Sequence, residues 1–236
     1  MWGGYISYVL LAALATALLV AAFTDLRRRE IDNWLNAGIA MAAPLWWVSI
    51  GFGWLDIAFQ IGLCLLTFAI ACVFFAARQM GGGDVKLLAA LALWFTPVSF
   101  MQVVTLMAVI GGGASVALAA FNMKRIPGQI FRDGVALGSV LIWLAATSMM
   151  AIALAMHRPI IGEQAIGVFS SLLPSTIAVI AAVVAVFAIL AQGLSHVVRR
   201  QKRRLPVPYG IAIAAAGLWV LGDQTLPAAH IAAGTL

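Results

Sequence analysis

Charge is what this sequence lacks most. Of its 236 residues only 9% are charged, against 64% hydrophobic, and the mean hydropathy is +1.06. A soluble domain carries about 25% charged residues. A chain this poor in charge cannot cover a water-facing surface, which excludes the soluble folds and leaves lipid as the solvent. Cysteine is scarce too. Cys64 and Cys72 lie in one apolar stretch, which excludes a disulfide framework and a Cys-x-x-Cys metal site and leaves them as packing residues. His157, His196 and His230 are scattered along the chain and make no metal constellation. No metal and no cofactor is expected. Ser170, Ser171 and Ser175 lack a partnering His and Asp pattern, so serine-protease chemistry has no support. The N-terminus has almost no basic region ahead of its first apolar run, so that run reads as a retained span and not as a cleaved signal peptide.

Apolar runs of roughly 20 residues span the hydrocarbon core. By that rule the sequence predicts an all-α, polytopic integral membrane protein with about eight transmembrane helices in one membrane domain, residues 1–236. The spans fall near Tyr5–Phe23, Ala37–Gly53, Ile57–Ala77, Val85–Phe95, Val98–Phe121, Val135–Met156, Ile177–His196 and Val207–Leu221. Thr96-Pro97 separates the short fourth from the fifth. The net charge is +6, but its distribution speaks against a nucleic-acid partner. Arg27, Arg28 and Arg29 follow the first span, Arg78 and Lys86 flank the end of the third, Lys124, Arg125 and Arg132 follow the fifth, and Arg199, Arg200, Lys202, Arg203 and Arg204 follow the seventh. Only Arg158 falls on the other side. The positive-inside rule makes the basic exits cytoplasmic and places both termini outside. The tryptophans, Trp46-Trp47 and Trp54 among them, read as an interfacial aromatic belt. Gly111-Gly112-Gly113 reads as a close helix contact.

Acidic residues number eight, and an ionisable group at the membrane needs a reason to be there. Asp25 sits where the first span exits and Asp84 where the fourth enters, both on the predicted cytoplasmic side. They can lie at one depth. Two close carboxyls cannot both ionise cheaply, so they share a proton. One can then act as general base on a water while the other, protonated, polarises a scissile carbonyl. Asp84 ends the run Gly81-Gly82-Gly83-Asp84. Glycines permit backbone conformations closed to other residues and let another chain approach closely. Lys86, two residues on, is either a cation favouring the ionised carboxylate or a snorkelling topology residue.

Gly81-Gly82-Gly83-Asp84 resembles the Gly-x-Gly-Asp signature of membrane aspartyl proteases, and its extension Asp84-Val85-Lys86-Leu87-Leu88 resembles the type IV prepilin peptidase version. Asp25-Leu26-Arg27-Arg28-Arg29-Glu30-Ile31-Asp32-Asn33 is similar to that family's first aspartate motif. Val207-Pro208-Tyr209-Gly210-Ile211-Ala212-Ile213 is similar to the last-span motif of the short peptidases that serve Flp/Tad-type pili. The resemblance implies a peptidase of the bacterial cytoplasmic membrane that removes the short basic leader of a prepilin after a glycine. It implies Asp25 and Asp84 as the catalytic pair, with Gly81 and Gly83 as motif residues and Lys86 in support. Partners would be a Flp-type prepilin and membrane lipid. Many members have Ile-Pro-Asn where this chain has Ile31-Asp32-Asn33. Larger members also carry a four-cysteine zinc domain and methylate the new N-terminus. This chain has neither the cysteines nor the room, so no methyltransferase activity is expected. The segments Asn122–Asp133 and His157–Gln164 look long for the short type. The competing readings are an ion- or proton-coupled transporter, against which stands the absence of acids in mid-span, and an inactive pilus or secretion assembly scaffold.

Overall fold

The computed structural model describes residues 2–124, 128–156, 176–202 and 209–234. Among these residues eight helices occur: α1 Trp2–Arg28, α2 Asn33–Ile50, α3 Trp54–Ala76, α4 Gly82–Leu91, α5 Pro97–Phe121, α6 Ile130–Ala155, α7 Thr176–Arg199 and α8 Tyr209–Gly234. No strand occurs among the described residues, which hold one isolated antiparallel bridge, Met123 with Gln201. Each expected apolar run lies on one of these helices. Arg125, Arg158, Arg203, Arg204, His157–Gln164, Ser170, Ser171, Ser175, Val207 and Pro208 lie outside the described residues.

Among the described residues four helices have the length and apolarity to cross a membrane: α1 from Tyr5, α3, α5 and α6. Helix α4 departs from expectation. Its ten residues rise about 15 Å, half of a hydrocarbon core of about 30 Å. The physical reason is a set of side-chain caps. Trp47 Nε1 donates to the Leu93 carbonyl at 2.8 Å. Gln60 Nε2 donates to those of Ala92 and Phe95 at 2.9 and 2.5 Å. Carbonyls freed at a helix end need such partners wherever water is absent. Supplied with them, the chain turns, and Thr96-Pro97 starts α5 with Pro97 at its first position. Two elements form there, as the dipeptide predicts.

The same contacts correct the reading of the tryptophans. Trp47 and Trp94 are buried. Trp94 Nε1 donates to the Ile39 carbonyl at 2.9 Å, and Trp46 stacks on Trp94 with ring centroids 6.1 Å apart. They tie α2 to the end of α4. Trp54, 88% exposed, remains at a surface.

The chain divides into two compact units, Met1–Ala108 with Pro208–Leu236, and Val109–Val207. In the first, α1 packs on α8 and α2, while α4 is enclosed by α2, α3 and α8. Val85, Leu87, Leu88, Ala89, Ala90 and Leu91 are all buried, so α4 is the apolar centre of this unit. The outer faces carry Val9, Leu19, Val48, Leu55, Phe59 and Val73 in the open. Monomeric soluble proteins rarely expose apolar surface on that scale, and in lipid it costs nothing. In the second unit α6 packs on α7 around Ala119, Met123, Ala136, Val140 and Val197. A Cβ at Gly113 would stand 3.1 Å from Thr147 Oγ1, the close helix contact expected of that glycine run. Cys64 and Cys72 are free thiols.

Candidate active site

Asp25 occupies the last turn of α1. Its carbonyl accepts the Arg29 N–H at 2.9 Å, and Arg29 ends the helix in the left-handed conformation, φ 56°. The chain then passes through Glu30 and the buried Ile31 into α2. Asp84 enters from the other side. It sits in the first turn of α4, where its carboxylate reaches back to the Gly81 N–H at 3.3 Å, half of a capping box. Both aspartates are buried, with 5% and 8% exposed. Together they line a pocket of about 240 Å³ with Arg29, Glu30, Ile31, Gly81, Gly82 and Gly83.

The glycines are unequal. A Cβ on Gly83 would lie 3.1 Å from Ile31 Cβ and 3.3 Å from its backbone nitrogen, so a bare backbone is needed there. A Cβ on Gly81 would stand 3.0 Å from Asp84 Oδ2. On Gly82 it would meet only the edge of the Phe75 ring at 3.4 Å, an ordinary contact. The free position is the x of Gly-x-Gly-Asp.

Three further groups shape the site without having been singled out as site residues in the sequence. Asn36, buried on α2, donates from Nδ2 to the Gly83 carbonyl at 3.3 Å and so ties the glycine turn down. The Ile211 N–H, in the first turn of α8, donates to Asp25 Oδ2 at 3.2 Å. Gly210 beside it is so close that a Cβ there would fall 2.7 Å from the same oxygen. The last-span motif could have pointed to Gly210; a backbone donor has no residue type by which to be found.

Lys86 is exposed at the start of α4. Its ammonium donates to Asn33 Oδ1 at 2.7 Å, joining α4 to the start of α2, and it does not line the aspartate pocket. Asp32 also stands apart from the pocket, paired with Arg28 at 3.3 Å. Its backbone, φ −62°, has the torsion that a proline would impose.

Asp84 lies ahead of the apolar part of α4. Burial and then the charge of Asp25 push its pKa up to about 6, against the opposing pull of the Gly81 N–H. A carboxyl so placed holds a proton at mildly acidic pH, while a carboxylate neighbour can take one. Among the described residues no three His, Cys, Asp or Glu side chains converge on a point.

No curated protein and no solved structure matches the chain. Residues 12–116, which carry both aspartates and the glycine turn, match the model of the type IV leader peptidase family.

Proposed function

We propose that this protein is an aspartyl endopeptidase of the bacterial cytoplasmic membrane that removes the short basic leader from Flp-type prepilins, cutting after the leader glycine. The observation that carries the reading is the convergence of Asp25 and Asp84, two buried carboxylates from distant parts of the chain, on one pocket beside a glycine turn. One carboxylate takes a proton from water. The hydroxide so formed attacks the scissile carbonyl carbon while the protonated partner gives its proton to the carbonyl oxygen. Collapse of the resulting diol breaks the C–N bond, and the proton taken from water leaves on the amine. Metal and covalent intermediate play no part in these steps. The bare Gly81–Gly83 backbone gives an extended peptide room to lie against the pair.

The pocket faces the cytoplasm in this reading. Arg27, Arg28 and Arg29 follow Asp25, and Arg78 precedes the glycine turn, so the positive-inside rule assigns that end of the helices. Helix α1 ends at the pocket and α8 begins there, which supports a topology with both termini on the other face. The chain acts on leaders and leaves the new N-terminus unmethylated.

The test is to co-express the chain with a tagged Flp-type prepilin, follow leader removal by gel mobility, and sequence the new N-terminus. Cleavage after the leader glycine, lost in Asp25→Asn and in Asp84→Asn while both variants insert, is the expected result. Undiminished cleavage by either variant sinks the assignment of the pair.

A further inference from the structure

The two carboxylates are not held alike. Asp25 lies against the amino end of α8, where the backbone N–H of Ile211 donates to Oδ2 at 3.2 Å and Gly210 adds a second backbone hydrogen bond. These are first-turn donors that no helix can satisfy within itself, and they sit at the positive end of the helix. Arg29, on the segment after α1, adds a cation. Asp84 has one backbone donor, Gly81, at 3.3 Å, and its neighbour across the pocket is a like charge. Closeness is built in at position 210, where any side chain would strike the Asp25 carboxylate and the end of Ile31.

Taking the peptidase reading as its ground, we propose that the amino end of α8 is a positioning element of the catalytic pair: it fixes Asp25 as the carboxylate that takes the proton from water and leaves Asp84 as the carboxyl that gives its proton to the scissile carbonyl. In the second half of the reaction Asp25 passes its proton to the leaving amine and Asp84 recovers one from the diol. Each residue ends as it began. The other ionisable groups facing the pair are Arg29 and Glu30 from the segment after α1; residues 210 and 211 bring backbone alone. A segment almost 190 residues away in sequence, outside the matched 12–116, thereby decides which aspartate is base and which is acid.

Ile211→Pro tests this with little collateral change. Proline is tolerated in the first turn of a helix, where its missing N–H bonds nothing within that helix, so the substitution removes the donor to Asp25. A hydrogen bond to a charged group is strong enough that its loss lowers kcat roughly 10- to 100-fold, with KM staying within about twofold because substrate contacts are untouched. Ile211→Ala keeps the N–H and recovers most of kcat. Gly217→Ala, a crowding of α8 against Leu18 at 3.1 Å away from the pair, lowers thermal stability and leaves kcat in place. A wild-type kcat in Ile211→Pro overturns the proposal. So does an equal loss in Ile211→Ala or Gly217→Ala, which would assign the effect to packing. An inactive wild type, or an active Asp25→Asn, sinks the peptidase reading itself and is seen before these variants are compared.

Discussion

Buried acids sit in both units of this chain, in opposite company. Asp133, at the start of α6 in the second unit, has 6% of its surface exposed. It is bonded to Arg200 at 3.1 Å and to His196 at 3.0 Å, both on or just after α7. Arg200 also donates to Gln129 Oε1. Asp25 and Asp84 in the first unit are equally buried, yet they accept from backbone N–H groups and face each other as like charges. Burying a charge is expensive unless it is paired and hydrogen-bonded. Asp133 meets that cost with the Arg200 guanidinium and the His196 ring and pins two helices. The aspartate pair meets it only partly, and the shortfall is what keeps a proton on Asp84 at mildly acidic pH. Burial does not separate a structural acid from a reactive one; the partners do.

The comparison can be broken in several places. The largest effect short of the aspartates themselves is expected at Gly83. Gly83→Ala presses a methyl onto Ile31 and shifts Asp84, and even small misplacement in an active site costs about 100-fold. Gly82→Ala, one residue away with an ordinary contact, keeps activity within about threefold and raises helix propensity by about 1 kcal/mol. Cleavage rates of the two in matched membranes decide whether the pattern of glycines follows the geometry.

Stability should move in opposite directions for the two kinds of acid. Asp133→Asn weakens two charge-assisted bonds and lowers stability by about 1–3 kcal/mol. Asp84→Asn removes a carboxylate whose pKa burial raises, and stabilises at pH 8 by about 1–3 kcal/mol. The sign follows from the direction of the shift. Between the ordinary carboxylate range near 4 and about 6, the folded state holds a proton that the unfolded chain releases. Stability therefore falls as pH rises through that window, and the full cost is present above it. Thermal melts of both variants at pH 4 and pH 8 measure the contrast, and a stabilised Asp133→Asn would erase it. For the same reason kcat/KM should fall on the alkaline side with a limb near pH 6, a limb that belongs to the pair. A flat profile from pH 5 to 8 contradicts the raised Asp84.

The smallest effects mark the border of the site. Lys86→Gln gives up an exposed bond to Asn33 and changes stability by at most about 1 kcal/mol, with cleavage within about twofold. Asp32→Pro exchanges a surface ion pair worth about 0–1 kcal/mol for a pre-set torsion worth about 0.4–1, and is close to neutral.

Much of this was legible in the sequence. The apolar runs lie on helices among the described residues, as hydrophobic length leads one to expect, and Thr96-Pro97 broke the fourth from the fifth through proline stereochemistry. Asp25 and Asp84, each at the end of an apolar run, line one pocket. What escaped the sequence shares one property: it depends on which backbone group lies opposite. The carbonyls at the end of α4 are met by Gln60 and Trp47 from other helices. Trp47 carried a belt signature and was used as a cap. Lys86 found Asn33, which no charge rule selects. Asp133 found His196 and Arg200 more than 60 residues on. The donors to Asp25 are amides, present at nearly every position and therefore silent at each.

The most direct measurement is the initial rate of leader removal by wild type, Asp25→Asn, Asp84→Asn and Asp133→Asn side by side, at equal levels of inserted protein. The account predicts losses of at least about 1,000-fold for the first two variants and a rate within about threefold of wild type for Asp133→Asn. An active Asp25→Asn or Asp84→Asn, or an inactive but well-inserted Asp133→Asn, would contradict it.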